Sequence, residues 1–141
     1  MEGRNGEILD LAVATDLRRI RTRELLDAIS ERAEHLPPRD RALMEQVFLH
    51  GKTVSEVARS RGEEPRTLSR HVKCITRRVL DPRFRYVTEQ QAAWRPTRQR
   101  VAHAYIVEGL SIREAAAKLK LSTYAIRKHR EAIDAMFESA E

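Results

Sequence analysis

The chain has 141 residues, of which 34% are charged and 5% aromatic, and its formal net charge is +6. This length suffices for one ordinary domain or two small ones, and the composition favours small helical units over a β-sandwich. No apolar run approaches the ~20 residues that cross a bilayer, and no secretory leader is recognisable, so we expect a cytoplasmic protein without a membrane segment. The single cysteine, Cys74, cannot form a disulfide within the chain, and its helical spacing predicts a partly buried side chain.

The N-terminal part of the chain, residues 1–35, is predicted to be a helical segment ahead of the first compact unit. Residues 8–13 are apolar enough for a helix, and Thr22 can cap a helix that buries Ile29. The sequence leaves open whether this segment is one helix or two. We expect residues 7–35 to pack on the unit that follows or to pair two chains as a homodimer.

The first unit is predicted at residues 36–81. Pro38 suits the first turn of a helix that Gly51 ends. Thr53 and Glu56 have the spacing of a capping box, in which a hydroxyl and a carboxylate satisfy each other's backbone amides, so a short helix follows. A turn leads to a longer helix with an apolar inner face. The residues predicted to face inward are Leu43, Met44, Val47, Phe48, Val57, Ala58, Leu68, Val72, Ile75 and Val79.

Residues 82–93 are predicted to link this unit to a second one, and the spacing of Thr88 and Gln91 predicts a short helix within the linker. The second unit is predicted at residues 94–141. In it Ser111 and Glu114 form another capping box, and a tight turn leads to a last, cationic helix. The residues predicted to face inward are Val101, Ala104, Tyr105, Ile106, Ala115, Ala116, Leu119, Ile126 and Ile133.

The two units resemble each other in sequence. When the chain is shifted by 58 positions, residues 36–80 lie over residues 94–138 without a gap. The identical pairs are Pro38/Pro96, Gly51/Gly109, Glu56/Glu114, Ala58/Ala116, His71/His129 and Ile75/Ile133. Because several of these occupy helix starts, stops and caps, we predict an internal duplication of one helical unit.

Positive charge is concentrated on the last helix of each predicted unit and on its flanks. Residues 59–86 hold nine Lys and Arg against three Asp and Glu, and residues 95–130 hold nine against two. A charge run alone is commonly just a solvated surface. Two focused patches, each on a helix that follows a tight turn, favour binding to a polyanion such as DNA.

The residues 36–80 resemble bacterial sigma-factor region 4, through Leu36-Pro37-Pro38 and the Gly51-Lys52-Thr53-Val54-Ser55-Glu56-Val57-Ala58 run. The segment Arg66 to Val72 with Ile75 is also similar to LuxR-type domains, and residues 109–116 and 126–129 repeat the pattern. This resemblance implies an all-α fold with two tandem helix-turn-helix units, in which the last helix of each unit enters the DNA major groove.

The resemblance and the charge pattern nominate the residues that contact double-stranded DNA. In the first unit they are Arg66, Thr67, Ser69, Arg70, Lys73 and Arg77. In the second unit they are Thr123, Tyr124, Arg127, Lys128 and Arg130, with Glu131 implied by the family alone. Arginine can bridge both acceptors of guanine, whereas Lys, Ser and Thr can anchor phosphates.

Two departures from these families shape the functional expectation. No segment corresponds to a promoter-melting, receiver or ligand domain, and Glu63-Glu64 stands where the families have an apolar residue and serine. Those carboxylates would repel phosphate, so the first unit is expected to be the weaker DNA reader or to bind a protein.

We expect a non-enzymatic, sequence-specific transcription regulator that associates with the nucleoid. The sequence carries no phosphate loop, no nucleophile with a base and no clustered metal ligands, so no cofactor or metal is expected. The alternatives are an adaptor that docks on RNA polymerase, in the manner of a sigma or anti-sigma factor, and the DNA-binding arm of an enzyme.

Overall fold

The structure, a computed structural model, describes residues 23–140, and within this range it contains helices and no strand. The all-α prediction is therefore confirmed for this part of the chain. The predicted helix at residues 8–13, the Thr22 cap and most of the proposed dimer segment lie outside the described residues. Within the range, no helix is long and apolar enough to cross a membrane.

Eight α-helices follow one another along the chain. The first, α1, is described over residues 23–33. The others are α2 (Pro38–Met44), α3 (Val54–Arg61), α4 (Pro65–Leu80), α5 (Pro82–Gln90), α6 (Pro96–Ala102), α7 (Ile112–Leu119) and α8 (Thr123–Ala140). A π-turn over Glu45–Leu49 extends α2, and a second π-turn over His103–Val107 extends α6. A 3₁₀ turn covers Gln91–Ala93.

The capping predictions are met unequally. The Ser111 hydroxyl accepts from the Glu114 amide at 3.1 Å, and the Glu114 carboxylate accepts from the Ser111 amide at 3.1 Å, so the box at α7 is complete. At α3 the Thr53 hydroxyl accepts from the Glu56 amide at 3.1 Å, but the Glu56 carboxylate bonds the Thr53 hydroxyl instead of its amide. The α3 cap therefore satisfies one backbone amide fewer than the α7 cap.

The short helices α3 and α7 each end in a left-handed residue. Gly62 has φ +67° after α3, and Lys120 has φ +56° after α7. Glycine adopts this conformation without strain, whereas a side chain with a Cβ rarely does. The turn geometry is thus the same in both places although only one of them has glycine.

The element boundaries recur with the 58-residue offset found in the sequence. The helices α2, α3 and α4 begin 58 positions before α6, α7 and α8. The recurrence also includes the helix ahead of each set, because residues 82–90 of α5 shift to 24–32, inside α1. The sequence match of residues 36–80 with residues 94–138 does not extend to these two helices. Residues 23–80 are called the first half below, and residues 82–140 the second half.

The predicted linker, residues 82–93, is mostly the helix α5, and it lies in the core. Phe84 and Val87 are both 0% exposed and belong to the same apolar cluster as Ile75 and Val79 of α4. The helix that Thr88 and Gln91 were expected to open begins instead at Pro82, where Asp81 accepts from the Arg83 amide at 2.9 Å. That prediction was wrong because an Asp cap followed by proline is the stronger start signal.

The inner faces of the longer helices agree with the prediction. Leu68, Val72, Ile75 and Val79 of α4 are buried, and Ile126 and Ile133 of α8 are at most 1% exposed. Cys74, expected to be partly buried, is exposed. It precedes Ile75 by one residue, which is about 100° around the helix from the buried stripe.

Candidate nucleic-acid interface

The predicted contact residues of the first half lie on the outer face of α4. Its four apolar residues are fixed in the core, so the opposite side of the helix must face outward. Ser69 is half-buried at the edge of this face. The exposed members are Arg66, Thr67, Arg70, Lys73 and Arg77. This face presents four cations along about three turns of helix.

The predicted contact residues of the second half lie on the outer face of α8, at its N-terminal end, except Arg130, which falls between the buried Ile126 and Ile133 on the inner side. Thr123, Tyr124, Arg127 and Lys128 are exposed, and Arg130 is half-buried. The Lys128 ammonium lies 5.4 Å from the centroid of the Tyr124 ring. Tyr124 is 67% exposed, so an aromatic ring and a cation stand together at the surface. Such a pair can contact a base edge or methyl group and a phosphate at the same time.

The N-termini of these two helices carry different groups. Ahead of α4, Glu64 is exposed, and the Glu63 carboxylate accepts from the Arg39 guanidinium at 2.9 Å. Ahead of α8, the Ser122 hydroxyl accepts from the Ala125 amide at 3.0 Å. A helix N-terminus attracts anions. The carboxylates ahead of α4 therefore compete with phosphate for that end, whereas the serine ahead of α8 leaves the local field positive.

The two equivalent histidines have partners of opposite charge. His71 Nε2 lies 3.0 Å from Asp40 Oδ1, whereas His129 Nδ1 accepts from Arg98 Nε at 3.5 Å. Burial lowers the pKa of His129, and the Arg98 charge lowers it further. Asp40 and Arg98 are 58 positions apart and so occupy equivalent sites. The alignment of the two units places an acid opposite a base at this position, but the contacts with the histidines are tertiary and have no signal in the sequence.

A cleft of about 720 Å³ lies between α4 and α8. Arg77 lines it from α4 and Arg130 from α8, and neither forms a salt bridge to any residue in 23–140. The acidic residues that share the cleft have partners: Asp81 caps α5, Asp134 lies 3.5 Å from the Arg83 guanidinium, and Glu131 lies 3.8 Å from the Lys128 ammonium. The two unpaired arginines therefore extend the cationic faces of both helices into the cleft.

Arg78 connects the two halves and was not identified from the sequence. Its Nη1 donates to the Glu108 carbonyl oxygen at 2.6 Å, and its Nη2 lies 3.3 Å from the Asp40 carboxylate. The side chain is 18% exposed, and this burial lowers the pKa of Arg78. It lies directly against Gly109, where a Cβ atom would collide with the guanidinium. A charged residue on a cationic helix is easily read as solvated, so only its tertiary contacts reveal this role.

No group of three or more His, Cys, Asp or Glu side chains within the described range lies close enough to hold a metal ion. The chain matches no protein-family model, no curated protein and no solved structure. The likeness to sigma-factor region 4 and LuxR-type domains therefore stays a prediction from the sequence.

Proposed function

We propose that this chain is a non-enzymatic, sequence-specific DNA-binding transcription regulator. In this proposal it contains two tandem helix-turn-helix units that arose by internal duplication, with α4 and α8 as recognition helices. The observation that carries the proposal is the recurrence, at one offset, of a short helix, a left-handed turn and a long helix with an exposed cationic face. The position of the long helix after such a turn is the arrangement by which helix-turn-helix proteins place a helix in the major groove.

The residue types on both faces suit the chemistry of a DNA duplex. Arg66 and Arg70 on α4, and Arg127 on α8, can each donate two hydrogen bonds to a guanine edge. Lys73 and Lys128 can neutralise phosphates, which releases bound counterions and makes the affinity fall with salt. These exposed cations need no rearrangement of the core to reach a ligand.

The second half is proposed to be the stronger DNA reader. The start of α8 has a serine cap and an exposed Tyr124–Lys128 pair, whereas two carboxylates precede α4. Repulsion between those carboxylates and phosphate acts against the attraction of the α4 cations.

The experiment that tests this function is selection of sequences from random duplex DNA by the full chain, at two salt concentrations. We expect a bipartite enriched motif with weaker information in one half. The variant Arg127→Ala/Lys128→Ala should lose enrichment. A matched control is Arg41→Ala/Arg85→Ala, which removes two exposed arginines that each pair with a glutamate four residues on. Absence of any enriched sequence with the wild-type chain would reject the proposal.

The second candidate is an adaptor that docks on RNA polymerase, and the acidic surroundings of α4 favour it. Glu63 and Glu64 directly precede α4, and Asp40 of α2 contacts His71 and Arg78 farther along the same helix. Retention of core polymerase by the immobilised chain, together with failure to retain duplex DNA or heparin, would support this adaptor over the DNA-binding regulator. The reverse result would exclude it.

A further inference from the structure

The two candidate recognition helices belong to one packed body. The apolar cluster that holds Ile75 and Val79 of α4 also contains Ala102, Val107 and Ile133 of the second half. Phe84 and Val87 of α5 belong to this cluster, and all of these side chains except Ile133, at 1%, are 0% exposed. Rotation of one half against the other would expose these side chains to water, which the hydrophobic effect opposes.

The helix α5 also holds the C-terminal part of α8. The Tyr86 ring lies 5.5 Å from the Phe137 ring in an edge-on arrangement, and the Arg83 guanidinium lies 5.7 Å from the same ring. Arg83 additionally lies 3.5 Å from the Asp134 carboxylate. Since α5 follows α4 after a single residue, the direction of α8 is fixed relative to α4.

The polar contacts of Arg78, which lines the same cleft as Arg83 and Asp134, also join the two halves. The guanidinium joins Asp40 of α2 to the Glu108 carbonyl at the end of the second π-turn. Its contact with Gly109 leaves no room for a side chain between them. A planar guanidinium held by two partners at once has little freedom to turn. The contact between the two halves at Arg78 is therefore fixed in angle as well as in distance.

The N-terminal ends of α4 and α8, where the predicted DNA contacts begin, lie some distance along each helix from the residues that line the cleft. Along the helix axes, Arg66 is about 16 Å from Arg77, and Thr123 is about 10 Å from Arg130. Arg77 and Arg130 line the cleft itself. These two arginines, which form no salt bridge within residues 23–140, can neutralise backbone phosphates of a duplex that reaches the cleft.

We infer that the two halves read one duplex as a single rigid body, so that the DNA partner carries two half-sites at one fixed spacing. Arg78 is the positioning residue that holds this spacing. The inference rests on the proposed function. Two units on a flexible linker would behave differently. They would accept a range of half-site spacings, because the effective concentration of the second unit at its half-site changes only slowly with spacing.

The test uses the half-sites obtained by selection, rejoined in duplexes whose spacer grows one base pair at a time through one helical turn. The wild-type full chain should bind best at one spacer. A change of about half a turn places the second half-site on the opposite face of the duplex and should reduce affinity at least about tenfold. The control Arg85→Ala should keep this profile.

The variant Arg78→Met tests the positioning role, because Met136 occupies the equivalent position in the second half. Because the shared apolar cluster remains, we expect the dependence of affinity on spacer length to become weaker than in the wild-type chain without disappearing, with binding to a duplex carrying one half-site unchanged. If this variant does not fold, Arg78→Lys keeps the charge but cannot reach both partners, and it should flatten the profile in the same way.

Each outcome has a distinct meaning. Equal wild-type affinity at every spacer would overturn the inference while leaving the proposed function in place. Failure to enrich any sequence would overturn both. An unchanged profile for the Arg78 variants would remove Arg78 from the inference, and loss of single half-site binding would assign it a direct or general structural role instead.

Discussion

The first and second halves of the molecule share their framework and differ on their surfaces. Proline at the start of α2 and α6, a hydroxyl cap at α3 and α7, and a left-handed turn before α4 and α8 occur in both halves. The partner of the equivalent histidine changes from Asp40 to Arg98, and the residues before the long helix change from Glu63-Glu64 to Leu121-Ser122. The framework follows from the requirements of folding, whereas in our proposal the surface differences reflect what each half contacts.

The largest effect is expected from a change that removes the core shared by both halves. Phe84→Ala on α5 should lower the free energy of unfolding by about 3–5 kcal/mol, because it empties a fully buried aromatic site. Urea unfolding followed by the fluorescence of Trp94 and by circular dichroism measures this. Arg85→Ala, on the exposed side of the same helix, should leave it essentially unchanged. Two separate wild-type transitions would show that the halves fold independently.

A second experiment compares the two proposed DNA-binding faces directly. Arg127→Ala/Lys128→Ala on α8 should weaken duplex binding by about 30-fold or more, since a base contact and a phosphate contact are lost together. Arg66→Ala/Arg70→Ala on α4 removes the same charge from the face that carboxylates already oppose, and it should cost only severalfold. Titration of one selected duplex at constant salt gives both values. A greater loss from the α4 variant would reverse the proposed ranking of the halves.

The unequal caps predict a smaller difference in stability. Ser111→Ala breaks a complete capping box and should cost about 1–2 kcal/mol, whereas Thr53→Ala breaks a half-formed one and should cost about 0.5–1 kcal/mol. Thermal unfolding of the two variants at one pH makes the comparison. Equal losses would mean that the second hydrogen bond of the box contributes nothing measurable.

The smallest effect concerns His129. Because burial and Arg98 lower its pKa in the folded chain, the unfolded chain binds more protons as pH falls below about 6.5, and the free energy of unfolding decreases there. His129→Gln should flatten this decrease, and Arg98→Ala should reduce it in part. Denaturant unfolding between about pH 5 and 8 measures it. A steeper decrease in the His129→Gln variant would contradict the assignment.

Most of the helix starts, caps and inner faces were predictable from local signals along the chain, although the start of α5 was not. The Ser111–Glu114 pair acts within one turn, and Pro38 and Gly51 each act on the backbone beside them, so the neighbours of these residues in sequence are their neighbours in space. The place of α5 in the core was not predicted, because its sequence is mostly polar and contains only two buried apolar residues, Phe84 and Val87. Their burial depends on helices brought up from both sides.

The outer faces of the candidate site were predictable from the sequence, but the contacts of Arg78 that join the two halves were not. The cations of α4 and α8 are exposed because the apolar stripe fixes the roll of each helix, and periodicity shows that stripe. Arg78 has the same residue type as its exposed neighbour Arg77 and belongs to the same cationic stretch of the sequence. Only the approach of Asp40 and Glu108 distinguishes them, and those contacts span 30 or more residues.

The contact between Arg78 and Gly109 has an evolutionary consequence. Gly51, at the equivalent turn of the first half, has nothing near its missing side chain, whereas Gly109 is covered by the guanidinium. Both have positive φ, so asparagine is the natural replacement at either turn. In chains descended from the same ancestor, the residue at position 51 should therefore vary independently of the residue at position 78. Position 109 should change from glycine only in lineages in which position 78 is no longer arginine.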